Sequence, residues 1–249
     1  AQFKGRDREA ERQAARRAEY REAQKERRMD AVARARGLAL GLPGSPESAE
    51  MEDKEEEEKP EPMSIGKPFH QQGRQRSKKQ QGRDYGRELM LGEWLLSVPE
   101  ELSTEYLAVA VPEGRRCLVV ASKGVTSAYT RTGRLLKQFQ SSLPGGAKSA
   151  SNHYTILDTI FVESASSFVV LDLLCWKSQP MYESETELRF FWLLSRLADI
   201  PELAERSKDR PYAFRPAPNC PADGDSLSQS LNGWDETALG APLDGVLFY

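Results

Sequence analysis

The sequence predicts an α+β protein with a mainly antiparallel β-sheet core over residues 89–249, preceded by a long basic helix and a disordered linker. Three observations carry this. Apolar runs of strand length, broken by turn residues, recur only from Leu89 onward. Residues 7–40 are rich in Ala, Arg, Glu and Gln, with no Pro or Gly between Arg6 and Gly37, which favours helix. Residues 43–88 join an acidic tract to a Gln/Arg/Lys/Gly-rich one and hold too little apolar surface to form a core.

The basic helix comes first. Its large apolar residues (Tyr20, Met29, Val32, Leu38, Leu40, Leu42) form a stripe too thin to pack on a domain. Gly37 and Gly41 to Gly44 are expected to end it. The Arg clusters Arg16-Arg17, Arg27-Arg28 and Arg34/Arg36 supply guanidinium forks for a partner's carboxylates. A solvated helix and a phosphate-binding one are the alternatives, and the interleaved glutamates argue against the latter. The linker follows. Glu47–Glu61 should be extended by self-repulsion, and Gly66–Arg87 is basic.

In the core, Leu89 to Leu96 reads as a short amphipathic helix closed by Val98-Pro99. Tyr106–Val111 and Arg116–Ser122 read as a hairpin around Pro112-Glu113-Gly114-Arg115. Ser127–Thr130 and Leu135–Phe139 extend the meander, and Leu143 to Asn152 is a loop. Tyr154–Val162 and Phe168–Trp176 are strands apolar at consecutive positions, hence central and buried on both faces. Glu185–Leu197 reads as a helix burying Leu188, Phe191, Trp192 and Leu194, with Ser184 as N-cap. Residues 199–225 carry five prolines and read as mostly loop; Leu243–Tyr249 is a final strand.

The net charge of −3 conceals basic blocks at 1–36 and 67–87 and an acidic one at 47–61. No apolar run reaches about 18 residues, so no membrane span is expected. The N-terminus is too charged for a signal peptide. Cys117, Cys175 and Cys220 form no C-x-x-C pair, which fits reduced thiols in a cytosolic or nuclear protein without a zinc site. The chain begins at Ala1 and ends within the apolar run Gly245–Tyr249, so further C-terminal material is expected.

Three patterns bear on chemistry: Ala121-Ser122-Lys123-Gly124, the strands carrying Asp158 and Asp172, and Leu243-Asp244-Gly245-Val246-Leu247-Phe248. In order and spacing they resemble the nucleotidyltransferase motifs of messenger-RNA capping enzymes and ligases. Those enzymes attack a nucleotide α-phosphate with the lysine of a Lys-x-Asp-Gly loop. Here Ala121 stands where that lysine would, and Lys123, two residues along a strand, would sit about 6–7 Å away. Without an amine at that point no covalent nucleotide forms. The resemblance therefore implies a capping-enzyme-like scaffold that binds a guanine nucleotide without catalysis, cofactor or metal.

A closer resemblance covers most of the chain. Leu89-Met90-Leu91-Gly92-Glu93-Trp94-Leu95, Val120 to Thr130, Leu143-Pro144-Gly145-Gly146, Tyr154 to Asp158 and Leu171 to Trp176 resemble the snurportin family, and residues 1–42 resemble its importin-β-binding segment. That resemblance implies an import adaptor for the 2,2,7-trimethylguanosine cap of spliceosomal U snRNAs and their snRNPs. It implies importin β and an exportin as partners, and shuttling between nucleus and cytoplasm. It also implies site residues. Leu91 and Gly92 approach the methylated guanine, and Trp94 stacks near the next nucleotide. Arg115, Arg116 and Cys117 line the pocket, and Arg131 reaches the phosphates. Arg16, Arg17, Lys25, Arg27, Arg28, Arg34 and Arg36 would engage importin β. The family usually has Ser at the Gly92 position and Lys at the Arg131 position. Its cap-stacking Trp lies in a Gly-Trp-Leu-Arg-Pro stretch beyond the final strand, and Gly233-Trp234 is not that stretch.

Overall fold

The computed structural model describes residues 3–26, 35–37, 39, 89, 92–181 and 184–249. The architecture is α+β. In chain order the elements are α1 (Phe3–Glu26), α2 (Leu102–Glu105), β1 (Leu107–Pro112), β2 (Arg115–Ser122), β3 (Val125–Thr130), β4 (Leu135–Phe139), β5 (Tyr154–Val162), β6 (Ser167–Trp176), β7 (Gln179–Pro180), α3 (Thr186–Ala198), β8 (Ala213–Pro216), β9 (Asn219–Pro221), α4 (Gly224–Asn232), α5 (Glu236–Leu239) and β10 (Leu243–Phe248). The large sheet has the order β4-β3-β2-β5-β6-β7, with β8 added parallel to β6. A smaller sheet has the order β10-β1-β9. All its pairings are antiparallel, as are those of the large sheet apart from β6 with β8. None of the described helices is long and apolar enough to cross a membrane.

β5 and β6 lie centrally and are buried along nearly their whole length, as their unbroken apolar runs predict. Alternation along β2 and β5 sends Val119, Ala121, Leu157 and Phe161 into one cluster with Phe168, Phe214 and, from α3, Leu193 and Leu197. On the opposite face Ile160 and Val162 meet Val109 and Val111 of the small sheet. A third group joins Leu118, Val120, Ile156 and Cys175 to Leu89 and Ala35.

Several expectations are corrected. β1 and β2 are not a hairpin; β1 pairs with β10 and β9. The chain crosses between sheets at Gly114, where a Cβ would come 2.7 Å from the Phe161 carbonyl oxygen, so only glycine lets it pass this close to β5. The true hairpin is β2–β3, turned by Lys123 (φ 54) and Gly124 (φ 80), both in the left-handed region that a two-residue type I′ turn requires. Residues 199–225 are mostly loop, as expected, but they also supply β8, β9 and the start of α4, which Asp223 caps by accepting from the backbone N–H groups of Asp225 and Ser226. Residues 92–99 are not helical. Their backbone is committed elsewhere, with the Trp94 carbonyl accepting from Gln13 and the Leu96 N–H donating to it.

α3 presents a face other than the expected one. Arg189, Phe190, Leu193 and Leu197 are buried, while Leu188, Phe191 and Leu194 are exposed. Its N-cap is Glu185, not Ser184, and no side chain bonds there. Hydropathy counts Arg189 as solvent-facing and so turns the helix away from its true buried face. The pairing of Arg189 with Asp172 fixes the rotation.

The N-terminal region also differs from expectation. α1 begins earlier than residue 7, and residues 35–37, including Gly37, are helical. The helical region is not detached from the core: Gln13 is buried against residues 93–96, Ala35 has no exposed surface, and the Ser122 hydroxyl donates to the Ala39 carbonyl at 2.6 Å. Among the described side chains, Gln13, Arg16, Ala35 and Ala39 make this contact. The linker assigned to 43–88 lies outside the described residues.

The loop after β4 is held by close backbone approach. Gly145 has φ 94, and a Cβ there would meet the His153 carbonyl and lie 2.6 Å from the Ala121 carbonyl oxygen. Gly145→Ala is expected to cost about 2–3 kcal/mol, combining left-handed strain with overpacking against rigid backbone. Urea unfolding should show the lowered midpoint at unchanged slope.

Candidate functional site

Register brings the predicted cationic residues to one end of the large sheet. Cys117 lies opposite Thr130, so Arg115 and Arg116 at the start of β2 and Arg131 just past β3 share that end. Arg115 and Arg131 are exposed. Alternation sends Arg116 to one face and Arg115 and Cys117 to the other. Cys117 has no exposed surface, and its thiol bonds the Thr159 hydroxyl at 3.2 Å. Burial pushes that thiol up to about 12, so it stays protonated and unreactive near neutrality. Cys175, also buried, is likewise pushed up to about 12 by burial.

Beneath Arg116 lies a quartet of charges that the sequence reading did not assemble. Asp158 and Asp172 face each other directly across β5 and β6, an arrangement that like charges alone would destabilise. Each is closed by an arginine. Arg116 donates from Nε to Asp158 Oδ1 at 3.1 Å and from Nη2 to Oδ2 at 2.6 Å. Arg189 donates from Nε and Nη2 to the two oxygens of Asp172 at 2.9 and 3.0 Å. It also reaches the Ser184 carbonyl at 2.6 Å and the Thr186 hydroxyl at 3.2 Å. Burial raises the Asp158 carboxyl above the ordinary aspartate range, against the pull of Arg116. Burial also works against the Arg116 charge, but the bonds and charge of Asp158 outweigh it and raise its pKa.

Tyr249 stands beside this quartet. Its backbone exchanges two hydrogen bonds with Leu107, and its ring meets Phe190 edge-on at 5.4 Å. Burial first, then the charges of Asp158 and Asp172, raise its hydroxyl pKa far above the ordinary tyrosine value. Gly92 lies against the same strand: a Cβ there would come 3.3 Å from Leu247 Cδ2, so glycine allows the 92–94 segment to approach β10 closely. Trp94, two residues on, is 92% exposed. An unburied indole of this kind is free to stack. Leu91 lies outside the described residues.

Glu93 ties the segment to α1. Arg16 Nη2 donates to Glu93 Oε1 at 2.9 Å, and Gln13 Nε2 to Oε2 at 3.3 Å. The bond from Arg16 holds the Glu93 carboxyl below the ordinary glutamate range. Among the other basic residues singled out on the helix, Arg17 is half-buried and Arg36 exposed; Lys25 lies in α1, and Arg27, Arg28 and Arg34 lie outside the described residues.

Ala121, which the motif resemblance sets at the place of the enzymes' attacking lysine, is wholly buried in β2. Lys123 is not in the strand, as expected, but in the β2–β3 turn. A cavity of about 430 Å³ lined by Ser141, Ser142, Ser149 and Arg210 among others lies toward this opposite end, and none of the predicted site residues lines it. Alternation and register could have found the Arg116–Asp158 pair. Leu118 opposes Asp158, which makes Arg116 its same-face diagonal neighbour, within reach of a long side chain.

Among solved structures, the chain is similar to the ligase domain of LigD from M. tuberculosis, with 18% identity over 59% of this chain and 48% of that one and a TM-score of 0.37. It is also similar to a chain described as Pmar-Lig_PreS3, with 11% identity over 57% of this chain and 38% of that one and a TM-score of 0.38. The chain thus spans about half the length of the first and less of the second. A family model described as Snurportin1, m3G cap-binding domain, matches residues 88–249. That span takes in both sheets, the charge quartet and Trp94, and the chain belongs to the Snurportin1 m3G cap-binding domain family.

Proposed function

We propose that this protein is a non-enzymatic nuclear import adaptor. Its core grips the 2,2,7-trimethylguanosine cap of spliceosomal U snRNAs, and its basic helix engages importin β. An exportin returns the emptied adaptor, so the protein moves between cytoplasm and nucleus. The observation that carries the reading is the cap-binding family match across the whole core. The buried Ala121 at the attacking-lysine position supports binding without chemistry.

The physics suits the residues. N7 methylation leaves the purine positive, so an aromatic face gains cation–π attraction beyond stacking. Trp94, exposed at the surface two residues from Gly92, offers a face on which the nucleotide next to the cap would stack. Arg115, Arg116 and Arg131, gathered at one sheet end, suit the negative triphosphate bridge. On the helix, Arg17, Lys25, Arg27, Arg28, Arg34 and Arg36 would meet the importin's carboxylates, and Arg16 would exchange Glu93 for one of them.

Tryptophan fluorescence titration tests the cap. The trimethylguanosine cap dinucleotide should quench more strongly than the monomethyl cap. Trp94→Ala should weaken binding by about 5- to 100-fold, the range that loss of one base–aromatic stack gives. Equal binding of capped and uncapped RNA, or a covalent protein–GMP adduct formed with GTP and a divalent ion, would refute the reading. Removal of residues 1–42 should abolish capture by importin β.

A further inference from the structure

Arg116 is gripped on one edge and open on the other. Asp158 takes the guanidinium side-on, through Nε and Nη2. A guanidinium carries five N–H donors. Among the described residues none accepts from the remaining three, two of which form the end-on fork, away from Asp158. The Asp158 side chain is 4% exposed and that of Arg116 23%, so the open edge belongs to the residue that reaches solvent. Asp158 cannot turn aside to Arg189, because Arg189 is already closed on Asp172.

We propose that Asp158 is a positioning residue for the phosphate bridge of the cap. It holds Arg116 so that the end-on fork meets two phosphate oxygens, the planar match that guanidinium makes with phosphate. The methylated guanine is positive and repels Arg116, which assigns this fork to the bridge and not to the base. This inference rests on the cap-binding reading above.

The test uses the full chain and two ligands, the trimethylguanosine cap dinucleotide and the trimethylguanosine nucleoside, which has no phosphate. Asp158→Asn should weaken the dinucleotide about tenfold and leave the nucleoside unchanged. In an Arg116→Ala background it should add nothing, because Asp158 acts only through Arg116. Arg116→Lys keeps the charge but cannot pair on one edge and present a fork on the other, so it should lose as much as Arg116→Ala. That comparison decides the matter if thermal melts show Asp158→Asn unfolded. Equal losses for both ligands, or full dinucleotide binding by Asp158→Asn or Arg116→Lys, would overturn the inference alone. A wild-type chain that binds neither ligand would overturn the cap reading and this inference with it.

Discussion

Replacing Arg189 with alanine is expected to destabilise the protein by about 3–5 kcal/mol, the cost of leaving a buried carboxylate without its partner. Asp172 is 5% exposed and Arg189 9%, so water cannot substitute for the lost guanidinium. The loss goes beyond one ion pair. Arg189 also bonds Ser184 and Thr186, which anchors the first turn of α3, and it neutralises a carboxylate set directly opposite another. Replacing both partners by apolar residues of similar size, Arg189→Met with Asp172→Leu, should cost much less, because no charge is then left unpaired. Chemical denaturation of the two single variants and the double variant checks this. Additive losses in the double variant would show that the pair does not act as a unit.

Phe168→Ala carries a similar expected cost, about 3–5 kcal/mol. Phe168 has no exposed surface and sits at the centre of an aromatic cluster. Its ring lies nearly parallel to Phe139 at 5.5 Å and to Phe214 at 5.2 Å, is tilted on Phe161 at 4.9 Å and meets Tyr212 edge-on at 5.5 Å. Apart from Tyr212, just before β8, these rings come from β4, β5, β6 and β8, so truncation opens a cavity between strands that hydrogen bonding fixes in place. The surroundings cannot collapse into it, which puts the cost at the upper end for such changes. A thermal melt reads the loss directly. Phe191→Ala on the exposed side of α3 is the control and should shift the midpoint little.

What the sequence could and could not convey is visible in these two cases. β5 and β6 were legible because both faces are buried and the apolar run is continuous. The pairing of β1 was not, since a turn sequence such as Pro112 to Arg115 serves equally for a hairpin and for a crossing between sheets. The buried face of α3 was misread because a buried arginine set the rotation, and hydropathy counts arginine as exposed. β8 and β9 are short and proline-flanked, so local propensity gave them no signal; their partners β6 and β1 make them strands. At the candidate site, Gly92, Trp94 and Arg131 came from motif resemblance, but the quartet needed register across three strands.

The placement of β1 between β9 and β10 has a consequence for the order of events during synthesis. β1 ends at Pro112, whereas its partners are Asn219–Pro221 and Leu243–Phe248. At ribosomal speeds of about 5–20 residues per second, β1 waits roughly 5 to 30 seconds for the strands that flank it. The hairpins β2–β3 and β5–β6 close locally and need no such delay. The small sheet is therefore completed after the large one on a nascent chain, and until then the apolar face of β1 is a surface for chaperones to cover.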